Sequence, residues 1–445
     1  MKNMKGSIAM QWSRYNLLFK SKNNGWLLYN SGSNSFIQMS DDVASFTKIV
    51  AKNPNVDFSQ RPDLFFKLRL GGFLIEDGKD DDLFRILKMR RLLTNYAGNK
   101  LLLTIALTKA CNFSCPYCYE HNRVPSKMSD ETEDKVIQFI EKHNLVNDII
   151  VTWYGGEPLL EFKRMQSLSK KIETLGKKYR ADIVTNGYCL TEEVIATLSE
   201  LKIRIIQITI DGSEKTHDSR RVLIDGRPTY QKIVQNIERL MQSDWEGQLY
   251  LRVNVDTSNS DEFVEVYQLF KEKYPDKFGM DIKVYPGFVH DDKNPHSSCN
   301  LNSDDKGKFV TKLSRIHGIN ALSIFPRTKI GGCTLTTKNA YVVGPDGELY
   351  KCFHDLGVKE EIVGSVESFI NWNTSLIAEG MVGASYLDNR RCEKCFFFPI
   401  CDGGCPKVRM YNNRDKGKRD TCSYFKNNIK ELLEIHYEQK EVYTV

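Results

Sequence analysis

The chain has 445 residues, 41% hydrophobic and 27% charged, which is a globular composition, too long for one ordinary domain and without the bias of a disordered chain. Its 63 basic and 57 acidic residues leave a formal charge of +6 with no dense Lys/Arg run, so nucleic acid is not an expected partner. No apolar stretch approaches the ~18 residues of a membrane span, and the opening MKNMKGSIAMQWSRYN has no signal-like apolar core, so the expectation is a cytoplasmic protein with no membrane partner.

Taken in chain order, residues 13–97 read as a small α+β unit. Short alternating runs fall at 16–19, 26–29 and 36–39, with Lys22, Asn23, Asn24 and Gly25 as a hairpin turn. Helical patterns follow at 41–51 and 62–70, then GGFLIEDGKDDD and a further helical run. From Leu101 the runs LLLTIAL, DIIVTWY, DIVT, IRIIQITI, LYLRVNVD and MDIKVYP alternate with amphipathic helices near 130–144, 161–178, 191–201, 229–243 and 261–274. Six βα repeats predict an α/β fold, a barrel or partial (β/α)6 barrel. Beyond about 290 the pattern gives way to loops rich in Gly, Asn and Cys, where metal sites would replace an apolar core. The expected division is therefore 1–97, 98–290 and 291–445.

Twelve cysteines in a cytoplasmic chain point to metal or redox chemistry, because thiols stay reduced there. Three of them, Cys111, Cys115 and Cys118, form C-x3-C-x2-C directly after the first predicted barrel strand, on the face where barrels carry their sites. Three thiolates on one loop can hold three irons of a [4Fe–4S] cube and leave the fourth open. A zinc knuckle or plain core cysteines are the competing readings, and structural zinc asks for paired sets that close a tetrahedron.

The segment CNFSCPYC resembles the signature of the radical SAM superfamily. The resemblance implies that S-adenosylmethionine chelates the open iron, that its cleavage yields a 5′-deoxyadenosyl radical, and that this radical abstracts hydrogen from a substrate. It also implies that Tyr117 contacts the adenine through its backbone. Gly155-Gly156-Glu157-Pro158 resembles the family's GGEP motif, whose backbone and carboxylate hold the methionine ammonium. Thr209 and Asp211 of TIDG, with Arg221, resemble positions that bind the carboxylate and ribose, although the usual residue at 209 is Ser. Arg220 leaves a one-residue ambiguity, and the bland reading of either arginine is a surface charge.

Cys333, Cys352, Cys392, Cys395, Cys401, Cys405 and Cys422 form a series that resembles the SPASM extension of radical SAM enzymes. By that resemblance Cys333, Cys352 and Cys405 ligate a first auxiliary cluster and Cys392, Cys395, Cys401 and Cys422 a second, giving three [4Fe–4S] clusters in all. Zinc is the competing reading of the C-x2-C pair. Some family members add a fourth cysteine shortly before the first of these. The stretch IFPRTKIGG has none, so the first auxiliary cluster either keeps an open iron, the favoured reading, or recruits Cys299. Cys299 and Cys189 otherwise read as incidental. In the related anaerobic sulfatase-maturating enzymes an Asp follows the equivalent of Cys352, whereas Phe353, His354 and Asp355 follow it in this chain. His354 is the candidate catalytic base.

The N-terminal unit resembles the PqqD-like recognition element of enzymes that mature ribosomally made peptides, in which a leader adds a strand to a sheet edge. The alternative is an inert cap. The whole reading is a radical SAM peptide maturase forming a thioether or other crosslink in a precursor peptide bound through its leader, with a reductant such as flavodoxin or ferredoxin. Against it stand a sulfatase-type Ser/Cys oxidase and a non-catalytic iron–sulfur protein that binds peptides or carries electrons.

Overall fold

The computed structural model describes residues 9–120, 124–289, 301–368 and 370–441. Cys299 lies outside them. The chain begins with β1 (Met10–Trp12), β2 (Asn16–Lys20), β3 (Trp26–Asn30) and β4 (Phe36–Met39). Strands β2, β3 and β4 form an antiparallel meander, and β1 pairs antiparallel with β5 (Leu74–Glu76) across the helices Asp41–Lys52 and Pro62–Leu70. The turn between β2 and β3 closes through Ser21 N–H on the Gly25 carbonyl at 2.8 Å, with Gly25 at φ +68°, a conformation glycine adopts without a Cβ penalty.

The helix Lys79–Asn95 leads into β6 (Lys100–Ala106), followed by β7 (Asp148–Tyr154), β8 (Lys178–Thr185), β9 (Ile203–Thr209), β10 (Gln248–Val255) and β11 (Ile282–Phe288). These six strands lie parallel and in chain order. On β7, Ile149, Val151 and Trp153 are fully buried, whereas the residues between them are only partly covered, so one face packs on helices and the other faces the interior where Tyr154 stands. Strand β8 starts at Lys178, within the range read as helix, because Gly176 at φ +68° follows the helix Phe162–Glu173 and lets the chain turn out of it.

The region beyond 290 is more regular than its composition suggests. It contains helices Ser303–His317, Pro406–Asp415 and Phe425–Glu441, and strands β12 (Ala340–Val343), β13 (Glu348–Tyr350) and β14 (Gly364–Ser365). Phe309 of the first helix meets Phe263 and Phe288 edge-on, so this helix completes the sixth βα repeat. Strand β12 pairs in parallel with β6, and β13 and β14 extend the same sheet to nine strands. The last helix buries Phe425, Ile429, Leu432 and Leu433, an i, i+4, i+7, i+8 stripe that a reading focused on cysteines overlooks. The meander docks onto this part through Tyr29, whose ring lies 5.9 Å from Phe325 and 6.1 Å from Phe396. Among the described residues no helix is long and apolar enough to cross a membrane.

Candidate active site

The loop after β6 carries Cys111, Cys115 and Cys118. Backbone N–H groups of Phe113 and Glu120 each lie 3.4 Å from a sulfur, Cys111 and Cys118 respectively. Asn186, just past β8, donates to Asn112 Oδ1 at 2.7 Å and points the same amide at Cys111 Sγ, 3.9 Å away. Burial pushes the Cys111 thiol up to about 12, with Glu157, Cys115 and Cys118 adding to it and the Phe113 amide opposing. The three thiols are therefore neighbours of one another at the C-terminal ends of the strands.

The turn after β7 presses against this loop. Gly155 has φ +117°, and a Cβ there would lie 2.2 Å from the Thr108 carbonyl, while one on Gly156 would lie 2.1 Å from that of Ala110. Only glycine fits at either position. Gly156 N–H donates to the Thr108 carbonyl at 3.0 Å, and Glu157 N–H to that of Ala110 at 2.9 Å. Glu157 is fully buried, and its carboxylate accepts from Leu159 N–H (3.0 Å), Thr185 Oγ1 (2.7 Å) and Asn186 N–H (2.7 Å). The carboxylate expected to meet an ammonium is thus engaged in tying the ends of β7 and β8 together.

Across the strand ends, Tyr117 hydroxyl donates to Asp211 and accepts from Arg221 Nη1 at 3.0 Å and Asn254 Nδ2 at 3.3 Å. Arg220 stacks 5.0 Å above the Tyr117 ring and pairs with Asp256 at 2.9 Å. Both arginines therefore turn inward, and neither is a surface charge. Burial alone would lower the Arg221 pKa, yet Tyr117, Cys115 and Asp211 around it raise it above the ordinary arginine value. Thr209 ends β9 in register with Arg252 of β10. Three buried atoms here, Asp211 Oδ1, Arg220 Nη1 and Arg221 Nε, have no hydrogen-bond partner among the described residues. Unmet buried groups of both signs, beside a three-thiol loop, fit a zwitterionic ligand bearing hydroxyls.

His217 has no counterpart in the sequence reading. It is fully buried, its Nδ1 accepts from Asp211 N–H at 3.3 Å, and its Nε2 donates to Thr229 Oγ1 at 3.1 Å, which in turn donates to the Arg221 carbonyl at 2.5 Å. One neutral imidazole thus fixes the backbone of both Asp211 and Arg221. Burial first, and Arg221 second, hold its pKa down to about 2 from 6.5. The unfolded histidine takes up a proton below pH 6.5 that the folded one refuses, so this contribution is complete above pH 6.5 and drains away as pH falls, by about 1.4 kcal/mol per pH unit. Chemical denaturation at stepped pH should show the stability gap between the parent chain and His217→Gln narrowing below pH 6.5. A gap independent of pH would remove the histidine from this account.

The mouth of the barrel is aromatic. Tyr119 and Tyr154 hydrogen-bond through their hydroxyls, and His354 stacks on Tyr119 at 4.3 Å and 5°. Phe353 lies 5.7 Å from Tyr154. The residues after Cys118 and after Cys352 therefore meet over the barrel interior.

The distal cysteines fall into two neighbourhoods. Cys352 is raised well above the usual thiol value by burial, and then by Asp355, Cys333 and Cys405. Cys395 is raised by burial with Cys392 and Cys422 next to it, and Cys401 is pushed up to about 11 by burial with Asp402, Cys395 and Cys392. Cationic donors reach the second set, Arg409 Nη2 at 3.8 Å from Cys392 Sγ and Lys426 Nζ at 3.3 Å from Cys422 Sγ. Lys407, almost fully buried, pairs with Asp355 at 2.9 Å and Glu361 at 2.7 Å, joining the segment after Cys352 to the helix after Cys405. Among the described residues no group of three or more His, Cys, Asp or Glu side chains is placed to hold a metal ion.

Residues 105–270 match the family model of the radical SAM superfamily. The chain has a radical SAM domain. Membership of that family implies a [4Fe–4S] cluster and S-adenosylmethionine. The chain is 24% identical over 371 residues to the cysteine-type anaerobic sulfatase-maturating enzyme of Clostridium perfringens, which covers 76% of this chain and 96% of that enzyme. It is 20% identical over 482 aligned residues to the radical SAM cyclopropyl synthase TigE of Paramaledivibacter caminithermalis, covering 97% of each. Among solved structures, SuiB of Streptococcus suis bound to S-adenosylmethionine matches with a TM-score of 0.52 at 17% identity, over 94% of this chain and 100% of SuiB. The chain is thus related in sequence to anaerobic sulfatase-maturating enzymes and similar in fold to SuiB.

Proposed function

We propose that the chain matures a ribosomally made precursor peptide, bound through its leader, by forming an intramolecular thioether or other crosslink. The observation that carries this reading is the extent of the matches. The sulfatase-maturating relative covers 76% of the chain, whereas TigE and SuiB run through 97% and 94% of it, and SuiB is also solved bound to its precursor peptide SuiA. The meander β2–β4 supports a PqqD-like recognition role for the N-terminal unit, since a leader can extend its edge.

Cys111, Cys115 and Cys118 would hold a [4Fe–4S] cluster, which with S-adenosylmethionine would supply the radical chemistry for hydrogen abstraction from the peptide. Arg220, Arg221 and Asp211 would hold the carboxylate and hydroxyl groups of that cofactor, Thr209 and the Tyr117 backbone would flank it, and Gly155 and Gly156 would offer its ammonium a backbone edge. Glu157 acts from below by fixing this edge. The distal cysteines hold two auxiliary clusters of a SPASM-like extension, Cys333, Cys352 and Cys405 the first and Cys392, Cys395, Cys401 and Cys422 the second. His354 at the mouth is the base in this reading, and flavodoxin or ferredoxin is the electron donor.

The second reading, a sulfatase-type Ser/Cys oxidase, is favoured by the 24% identity over 371 residues and opposed by Phe353 in place of an Asp. The test is anaerobic incubation with S-adenosylmethionine and dithionite, with co-expression of a small open reading frame beside the gene. The expected outcome is 5′-deoxyadenosine together with a peptide lighter by two hydrogens that does not react with a hydrazide. A hydrazide-reactive product carries an aldehyde and would decide for the second reading.

A further inference from the structure

The interior of the barrel carries a cation that the site described above does not use. On β10, Leu249, Leu251 and Val253 are fully buried, while Tyr250 and Arg252 between them are only partly covered and face the interior. Arg252 stands in register with Thr209 of β9 on one side and Tyr285 of β11 on the other. It lies two residues before Asn254, which donates to the Tyr117 hydroxyl at 3.3 Å, so the guanidinium sits just below the groups of both signs that line the cofactor site.

Gly287 makes room for it. A Cβ there would lie 2.1 Å from Arg252 Nε and 2.8 Å from its Cζ, so the guanidinium occupies the place of a side chain on β11. Its Nε donates to Asn254 Oδ1 at 2.8 Å, whereas Nη1 and Nη2 have no hydrogen-bond partner, and the arginine no ion pair, among the described residues. The nearby acids are answered by other arginines. Asp256 pairs with Arg220 at 2.9 Å, and Asp182 on β8 is raised by burial, with Arg180 opposing. Asp211 is raised by burial and lowered by Arg221, Tyr117 and Arg220 before Arg252. Beside Arg252, Tyr285 donates to Gln207 Oε1 at 2.5 Å, and its ring meets Tyr250 edge-on at 6.2 Å. Deeper on the same face Lys283 donates to the Tyr250 hydroxyl at 3.2 Å, a second cation rather than an acid.

We propose that Arg252 determines specificity for a carboxylate of the substrate peptide, taken into the barrel interior and held by the two Nη groups. The proposal rests on the reading of the chain as a peptide maturase and names the chemistry that its pocket selects. A guanidinium pinned through Nε keeps its two Nη groups as a preset fork, which matches both oxygens of a carboxylate in one plane. An acidic side chain of the peptide and its C-terminal carboxylate share that chemistry. Either one, held there, would bring the carbons beside it under the cofactor site in a fixed orientation.

The test uses the full chain, reconstituted anaerobically with iron and sulfide and supplied with S-adenosylmethionine, dithionite and the peptide encoded by the small open reading frame beside the gene. Mass spectrometry follows the modified peptide. Arg252→Gln is expected to slow modification at least about tenfold, the scale of one lost charged hydrogen-bonded pair, with Arg252→Lys in between. With the parent enzyme, a set of peptides carrying single Asp→Asn or Glu→Gln changes or a C-terminal amide should include one that loses as much. That peptide should lose nothing further with Arg252→Gln, because both changes remove the same contact, and its identity tells an acidic side chain from the chain terminus. If Arg252→Gln works at the parent rate, if every altered peptide is modified like the original, or if the losses multiply, no carboxylate meets Arg252 and the proposal falls. The peptide arm runs on the unaltered enzyme, so misfolding of a variant cannot hide that result. Weaker binding of S-adenosylmethionine by Arg252→Gln in equilibrium dialysis would assign the guanidinium to the cofactor and overturn the proposal as well. A parent that leaves the original peptide unmodified would instead defeat the maturation reading, and this proposal with it.

Discussion

Replacing Cys111, Cys115 and Cys118 together by Ala is expected to bring 5′-deoxyadenosine formation to background while lowering iron from about twelve to about eight atoms per chain. The separation follows from the geometry. These thiols neighbour one another on the loop after β6, whereas Cys352 has Cys333 and Cys405 around it, and Cys401 has Cys392 and Cys395. No thiol is common to two sets, so one can be emptied while the others stay filled. Electron paramagnetic resonance of the reduced variant should retain the auxiliary signals. Cleavage at the parent rate would strike these three cysteines from the assignment, and iron near four in the parent would strike the distal ones.

Glu157→Ala should cost several kcal/mol of stability, since each buried donor left without a partner costs about 1–3 kcal/mol. The residue is fully buried, and its loss strands Leu159 N–H, Thr185 Oγ1 and Asn186 N–H at once. Asn186 in turn donates to Asn112 beside Cys111, so the disturbance reaches the thiol loop. Glu157→Gln keeps the shape but offers an N–H to at least one of these donors, and about 1–3 kcal/mol is expected. Denaturant titration measures both, and binding of S-adenosylmethionine should weaken in the same order. If Glu157→Ala unfolds at the parent's midpoint yet loses the cofactor, the carboxylate contacts the ligand directly, as the sequence resemblance implied.

The contrast between Cys111 and His217 explains what could be read in advance. Cys111, Cys115 and Cys118 sit a few residues apart on one loop, so C-x3-C-x2-C announces itself in a single chain. The parallel strands are similarly legible, because burial on one face imposes a short repeating pattern. His217 and Asn254 act across sequence separations that no local pattern records. Asn186 is an intermediate case, since a polar T-N-G at the end of a predicted strand falls where barrel enzymes place their sites. The helix Ser303–His317 was hidden for a different reason: its capping box at Asn302 and Asp305 follows a stretch dominated by polar residues and one stray cysteine.

The pairing of β6 with β12 has a consequence for how the protein is made. Strand β6 finds β7 soon after it leaves the ribosome, but its other neighbour, Ala340–Val343, is synthesised only after the rest of the barrel is complete. Through that interval an apolar strand presents an open row of peptide groups to any other nascent chain. Slower translation would prolong this exposure, and chaperones that cover the edge until β12 arrives should raise the yield of soluble protein.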